Sequence, residues 1–265
     1  MATLPVDTLP VAKAPQFKPY GSCIYCGATG ALSREHIFPF ALGGTLVLPA
    51  ASCPRCASIT SKFEREVLRG PMWAVRAHLQ LQSRRRSLAP KTAPLTIIRA
   101  GKEVQVDLPL PEHPLLLMFP DFAEPSIFTG NHVKGISMRG HATYTFGTHP
   151  QRVMQVLGAT DFKLTQEYRV VPFAQLLGKI GWAMAAAEGR LNSIDRDQSV
   201  IRALLEQPDD IGRWVGTFPE EPARHEGRLH TAAPMHLGGY LVYHIQLFAD
   251  AGTPRYGVVI GRLTQ

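Results

Sequence analysis

Cys23-Ile24-Tyr25-Cys26 and Cys53-Pro54-Arg55-Cys56 enclose 26 residues and hold all 4 cysteines of this 265-residue chain. A C-x2-C turn presents two thiolates to one side of a tight knuckle, so two such turns supply the four soft ligands of a closed tetrahedral zinc site. Gly27 follows the first pair and suits the backbone reversal there. Disulfides and four unrelated buried thiols are the alternatives. Scattered cysteines would not fall into two equal knuckles, and a cytosolic chain keeps its thiols reduced. The zinc is expected to be structural, because a catalytic zinc keeps one position open for water or substrate. Its binding energy, of order 10 kcal/mol, is largely folding energy for a segment with few large apolar residues.

Between the knuckles runs Ser33-Arg34-Glu35-His36-Ile37-Phe38-Pro39, followed by Ala41-Leu42-Gly43-Gly44. In order, the chain has a cysteine knuckle, an acidic residue directly before His, the pattern H-I-x-P, a Gly-Gly turn, a second knuckle and a helix. Over roughly residues 20–70 this resembles the HNH endonuclease family, whose fold is a treble-clef-like ββα-metal finger. The resemblance implies phosphodiester hydrolysis, with His36 as general base and Glu35 as a ligand of a catalytic metal. The chemistry agrees: hydrolysis needs a base to deprotonate water and a hard cation to stabilise charge on the phosphate. The Glu35 oxygens suit Mg²⁺ or Mn²⁺. Neighbouring residues on a strand point to opposite faces, so Glu35 and His36 are expected to take different partners, unless the twist of a strand end lets them converge.

Two positions depart from the family's pattern. The loop Gly44-Thr45-Leu46-Val47-Leu48-Pro49 lacks the usual Asn, and Ala57 stands where a second metal ligand, His or Asn, usually follows the last cysteine. On a helix beginning near Ala57 and capped by Ser58 or Thr60, Ser61 and Glu64 lie on Ala57's face and are candidate substitutes, Ser61 nearer and Glu64 chemically better. An exposed Glu64 paired with a neighbouring base is the competing expectation. A second helix should start at Pro71, pack Trp73, Ala77 and Leu81 inward, and finish near Arg84-Arg85-Arg86.

Charge adds a partner. The chain carries +7 overall, but residues 1–99 hold 13 Lys and Arg against 4 Asp and Glu, while residues 100–265 hold 15 against 17. A concentrated basic field attracts polyanions by counterion release, so nucleic acid is the expected partner, DNA first and RNA second. Arg34, Arg55, Lys62, Arg84, Arg85 and Arg86 are the candidate phosphate contacts. No base-reading motif is visible. The Pro-rich segment 1–19 has neither the charged start nor the apolar stretch of a signal peptide, and no run approaches the roughly 20 apolar residues of a membrane span. A cytoplasmic chain away from membranes is expected.

The expected fold class is α+β: the zinc finger and its basic helices over 20–88, a linker at Pro90 to Pro94, and an α+β domain over 95–265. Strands are predicted at 96–98, 104–106, 136–138 and 143–146, helices at 150–157 and 173–189, and a closing hairpin from 240–248 and 256–260. The scattered histidines of this half lack metal-ligand spacing and are expected to be structural or surface residues. Three functions share these residues: a metal-dependent endonuclease, a finger that binds nucleic acid without cleaving it, and a zinc-stabilised protein-interaction module.

Overall fold

A computed structural model describes residues 16–81, 90–163, 169–219 and 223–264. Strands β1 (Ser33–His36) and β2 (Val47–Ser52) pair as an antiparallel hairpin, followed by helices α1 (Pro54–Arg69) and α2 (Trp73–His78). Helix α1 begins earlier than expected. Cys53 is its N-cap residue and Pro54 opens its first turn, where a missing N–H costs nothing. Thr60, expected as a cap, is buried inside the helix and donates to the Ala57 carbonyl at 3.3 Å. Helix α2 is shorter than expected, and the Arg84-Arg85-Arg86 run lies outside the described residues.

Next come β3 (Thr92–Arg99), β4 (Lys102–Pro109), β5 (Leu116–Phe122), α3 (Ser126–Thr129), β6 (Met138–Thr145), α4 (Pro150–Leu157) and β7 (Asp161–Lys163). The order β4-β3-β7 makes a three-stranded antiparallel sheet, and β5 pairs with β6. The expected linker at Pro90 to Pro94 runs instead into β3, whose register pairs Pro94 with Asp107. Helix α5 (Val170–Ala187) precedes β8 (Ile194–Ser199), α6 (Ile201–Leu205), β9 (Val215–Thr217), β10 (His230–Leu237), β11 (Tyr240–Leu247) and β12 (Arg255–Leu263). In the largest sheet, ordered β10-β11-β12-β8 with β9 also on β12, all the pairings are antiparallel. The chain is therefore α+β.

Helix α5 organises the core. By length and composition it could cross a membrane, with a mean hydropathy of 1.3, yet 72% of it is buried inside the protein. Gly178 and Gly181 let neighbours close in: a Cβ on Gly181 would stand 3.0 Å from Ile260 and Val258 on β12, and one on Gly178 would stand 2.9 Å from Leu204 on α6. The side of α5 that carries Lys179 and Trp182 meets the hairpin-helix unit. Consequently one buried cluster joins Cys23, Ile37, Leu48, Phe63 and Val67 to Leu177, Trp182, Tyr243 and Val258, so the N-terminal unit and the C-terminal sheet share a core.

The Gly43-Gly44 turn is set by sterics. Gly43 has φ 79° and ends a short 3-10 turn over Phe40–Leu42. A Cβ on Gly44 would lie 2.1 Å from the Phe38 carbonyl oxygen, an approach only glycine allows. Gly44→Ala is expected to lower stability by about 1–3 kcal/mol, measured by urea denaturation, as the backbone must move to admit the methyl. Gly30→Ala, where nothing lies within 4 Å of the new methyl, is the control and should change little.

Candidate metal centre

The sulfurs of Cys23, Cys26, Cys53 and Cys56 all lie within 4.8 Å of one another, and those of Cys26 and Cys53 are 3.6 Å apart. Zinc–sulfur bonds of about 2.3 Å place tetrahedral sulfurs about 3.8 Å apart, so the donor set fits zinc in both chemistry and spacing. Backbone bonds preform the first knuckle: Cys23 N–H donates to Ala28 O at 2.7 Å and Gly27 N–H to Cys23 O at 2.8 Å, with Gly27 at φ 79°. The second knuckle opens α1, where Ala57 N–H donates to Cys53 O at 2.9 Å. The Cys56 backbone amide is the main cause that lowers the Cys53 thiol to about 7, whereas burial pushes Cys23 and Cys56 up. A bound cation would offset the cost of gathering these sulfurs as thiolates.

The frame is held from the far half of the chain. Ile24 O, inside the first knuckle, accepts from Trp182 Nε1 at 2.9 Å and from Arg196 Nη2 at 2.8 Å, and the Arg196 guanidinium lies 5.4 Å from the Trp182 ring. Ile24 N–H donates to Ala51 O at 2.8 Å, fastening the knuckle to β2.

Glu35 and His36 end β1, opposite Leu48 and Val47. As strand geometry requires, they differ in surroundings. Glu35 is 7% exposed and its Oε1 lies 2.7 Å from Lys179 Nζ, while Glu64 Oε1 lies 3.0 Å from the same nitrogen. Lys179 is itself 1% exposed and also donates to the carbonyls of His36 and Ile37. Burial works to lower the Lys179 pKa, but Glu35 and Glu64 outweigh it and raise it, so the ammonium form persists. Tyr25 is buried in the same region; burial, then the Glu35 and Glu64 charges, push its phenol well up. His36 is half-buried, its ring 5.6 Å from Phe40 in an edge-on arrangement.

Lys179 was not among the residues singled out from sequence. Its signal was nevertheless present: it is the only charged residue between Val170 and Ala187. A lone cation in an otherwise apolar helix needs a buried partner.

The basic candidates Arg34, Arg55 and Lys62 are all exposed, the first on β1 and the others seven positions apart on α1. Ser61 and Glu64 do share one place, a shallow hollow of about 200 Å³ that also includes Arg65, Arg69 and Arg76. Ser61 Oγ donates to Ser58 O at 3.0 Å, and Arg76 ties the hairpin loop to α1 by donating to Ala41 O at 2.6 Å and Leu68 O at 2.7 Å. Comparison with models of protein families, with curated proteins and with solved structures gives no match.

Proposed function

We propose that residues 20–70 form a zinc-stapled finger of the HNH type and that the protein is an endonuclease acting on phosphodiester bonds, DNA first, with His36 as the general base. The observation that carries this reading is the conjunction, in one hairpin-helix unit, of a four-sulfur cluster with a histidine at the last residue of β1. A neutral imidazole can take the proton of an attacking water. The backbone beneath it is fixed by the β2 pairing and by the Lys179 ammonium on its carbonyl. Exposed Arg34, Arg55 and Lys62 supply cations for flanking phosphates.

A Mg²⁺ or Mn²⁺ site on Glu35 and Glu64 fits poorly. Both carboxylates face Lys179, and an ammonium between them repels a second cation. Ala57 offers no side-chain donor to complete such a site.

His36→Ala is expected to lower nicking of supercoiled plasmid, assayed with Mg²⁺ and with Mn²⁺, by about 10²-fold or more. Zinc content and circular dichroism should be unchanged. Equal cleavage by both proteins would remove His36 as the base. The engagement of Glu35 and Glu64 with Lys179 favours a second reading, a finger that grips nucleic acid without cutting it. Absence of cleavage together with retention on DNA that weakens steeply with salt would decide for it. No retention at low salt would defeat both readings and leave a protein-interaction module.

A further inference from the structure

Lys179 Nζ stands among four oxygens. Glu35 Oε1 is 2.7 Å and Glu64 Oε1 3.0 Å away, and the ammonium also donates to the carbonyls of His36 and Ile37, the latter at 3.4 Å. An ammonium has only three hydrogens to give, so the acceptors outnumber its donors. The oxygens come from separate parts of the fold: Glu35 and His36 end β1, Ile37 follows them, and Glu64 lies on α1. Lys179 reaches them from α5.

Two carboxylates and two backbone carbonyls are the donor set of a hard divalent cation. Ca²⁺ in particular takes such mixed oxygens at about 2.3–2.6 Å in flexible geometry. Charge points the same way, since both carboxylates face a single ammonium and one negative charge is left over within the cluster. Tyr25 brings a further oxygen: its Oη is buried, has no hydrogen-bond partner among the described residues and feels the charges of Glu35 and Glu64. Lys179 is among the largest fully buried side chains, so its stem fills the space that an ion and its water would need. The Glu64 side chain is 22% exposed and borders the hollow on α1, which gives such an ion a way in.

We propose that this cluster is a hard-cation cage which the chain fills with its own ammonium, and that the cage takes Ca²⁺ or Mn²⁺ once the Lys179 side chain is cut back. In the parent protein the tethered ammonium does what a divalent ion on Glu35 and Glu64 would do. Docking of β1 and α1 on α5 therefore needs no divalent ion, and any hard cation that serves His36 has to be held by groups other than Glu35. The cage stands whether or not His36 cleaves anything.

The test uses the full zinc-loaded chain and reads melting temperature together with Mn²⁺ binding by electron paramagnetic resonance. Lys179→Ala should be destabilised, and Ca²⁺ should raise its melting temperature saturably by about 5 °C or more, with no such rise in the parent protein. If Lys179→Ala stays unfolded without added ion, Ca²⁺ should restore its refolding. The variant should also bind an additional Mn²⁺, which Lys179→Ala/Glu64→Gln should lose or hold at least tenfold more weakly. In the parent protein, where the ammonium is in place, Glu35→Gln should leave Mn²⁺ binding unchanged, an outcome that does not depend on the stability of any Lys179 variant. None of these readouts involves cleavage, so their failure leaves the role of His36 untouched. Lack of any Ca²⁺ effect on Lys179→Ala, equal rescue of Lys179→Ala/Glu64→Gln, or Mn²⁺ bound by the parent protein and lost in Glu35→Gln would overturn the assignment.

Discussion

Removing zinc from this protein with a strong chelator is expected to unfold residues 20–70 and to change the fluorescence of Trp182. Structural zinc contributes about 10 kcal/mol or more in small zinc modules, which matches the whole stability of a typical domain. The sulfurs sit on two pieces of backbone far apart in sequence, the first knuckle and the start of α1, and the cation is what makes their meeting favourable. Trp182 reports the loss because its indole N–H is bonded to Ile24 O within the first knuckle while its ring is fully buried. Cys56→Ser, which exchanges a soft ligand for a poor one, should reproduce the effect without chelator. Metal analysis, far-UV circular dichroism and fluorescence read out together. A purified protein that contains no zinc, or one whose spectra survive complete removal of the metal, would contradict the assignment of the cluster.

The second large effect is expected at Lys179. Lys179→Met leaves Glu35 buried with no counter-charge and takes the donor from the carbonyls of His36 and Ile37. Breaking a buried pair from one side costs about 3–5 kcal/mol, because the remaining charge stays desolvated. Glu35→Gln introduced alongside should recover a good part of that loss, since a neutral amide does not need the ammonium. Urea denaturation of the two single variants and the double variant gives the coupling directly. If Lys179→Met alone is as stable as the parent protein, the buried ion pair is not what holds β1 to α5.

Short-range features were legible in the sequence. Two C-x2-C pairs with a glycine after the first predict a four-sulfur cluster, and the sulfurs do meet. Pro150 and Gly158 bracket α4, with Gly158 in the left-handed conformation that ends a helix. The final hairpin stands where alternation placed it. What was illegible depends on distant partners. Nothing near Glu35 reveals that its neighbour in space is Lys179, on α5. Capping propensity favours Ser58 and Thr60 over Cys53 and so points to a later start of α1, yet the geometry of the knuckle imposes the earlier one. The boundary near Pro90 was misleading for a similar reason: proline marks turns, but Pro94 is accommodated within β3.

The attachment of the first knuckle to Trp182 and Arg196 bears on any attempt to transplant it. A segment cut at residue 90 would carry all four cysteines, yet Ile24 O would lose both its donors and the carboxylate of Glu35 would be stranded. Many zinc fingers travel between proteins as interchangeable cassettes. Here the helix that completes the module arrives more than a hundred residues later in the chain, so on the ribosome the N-terminal segment emerges without its keystone and must wait for α5 before it can lock.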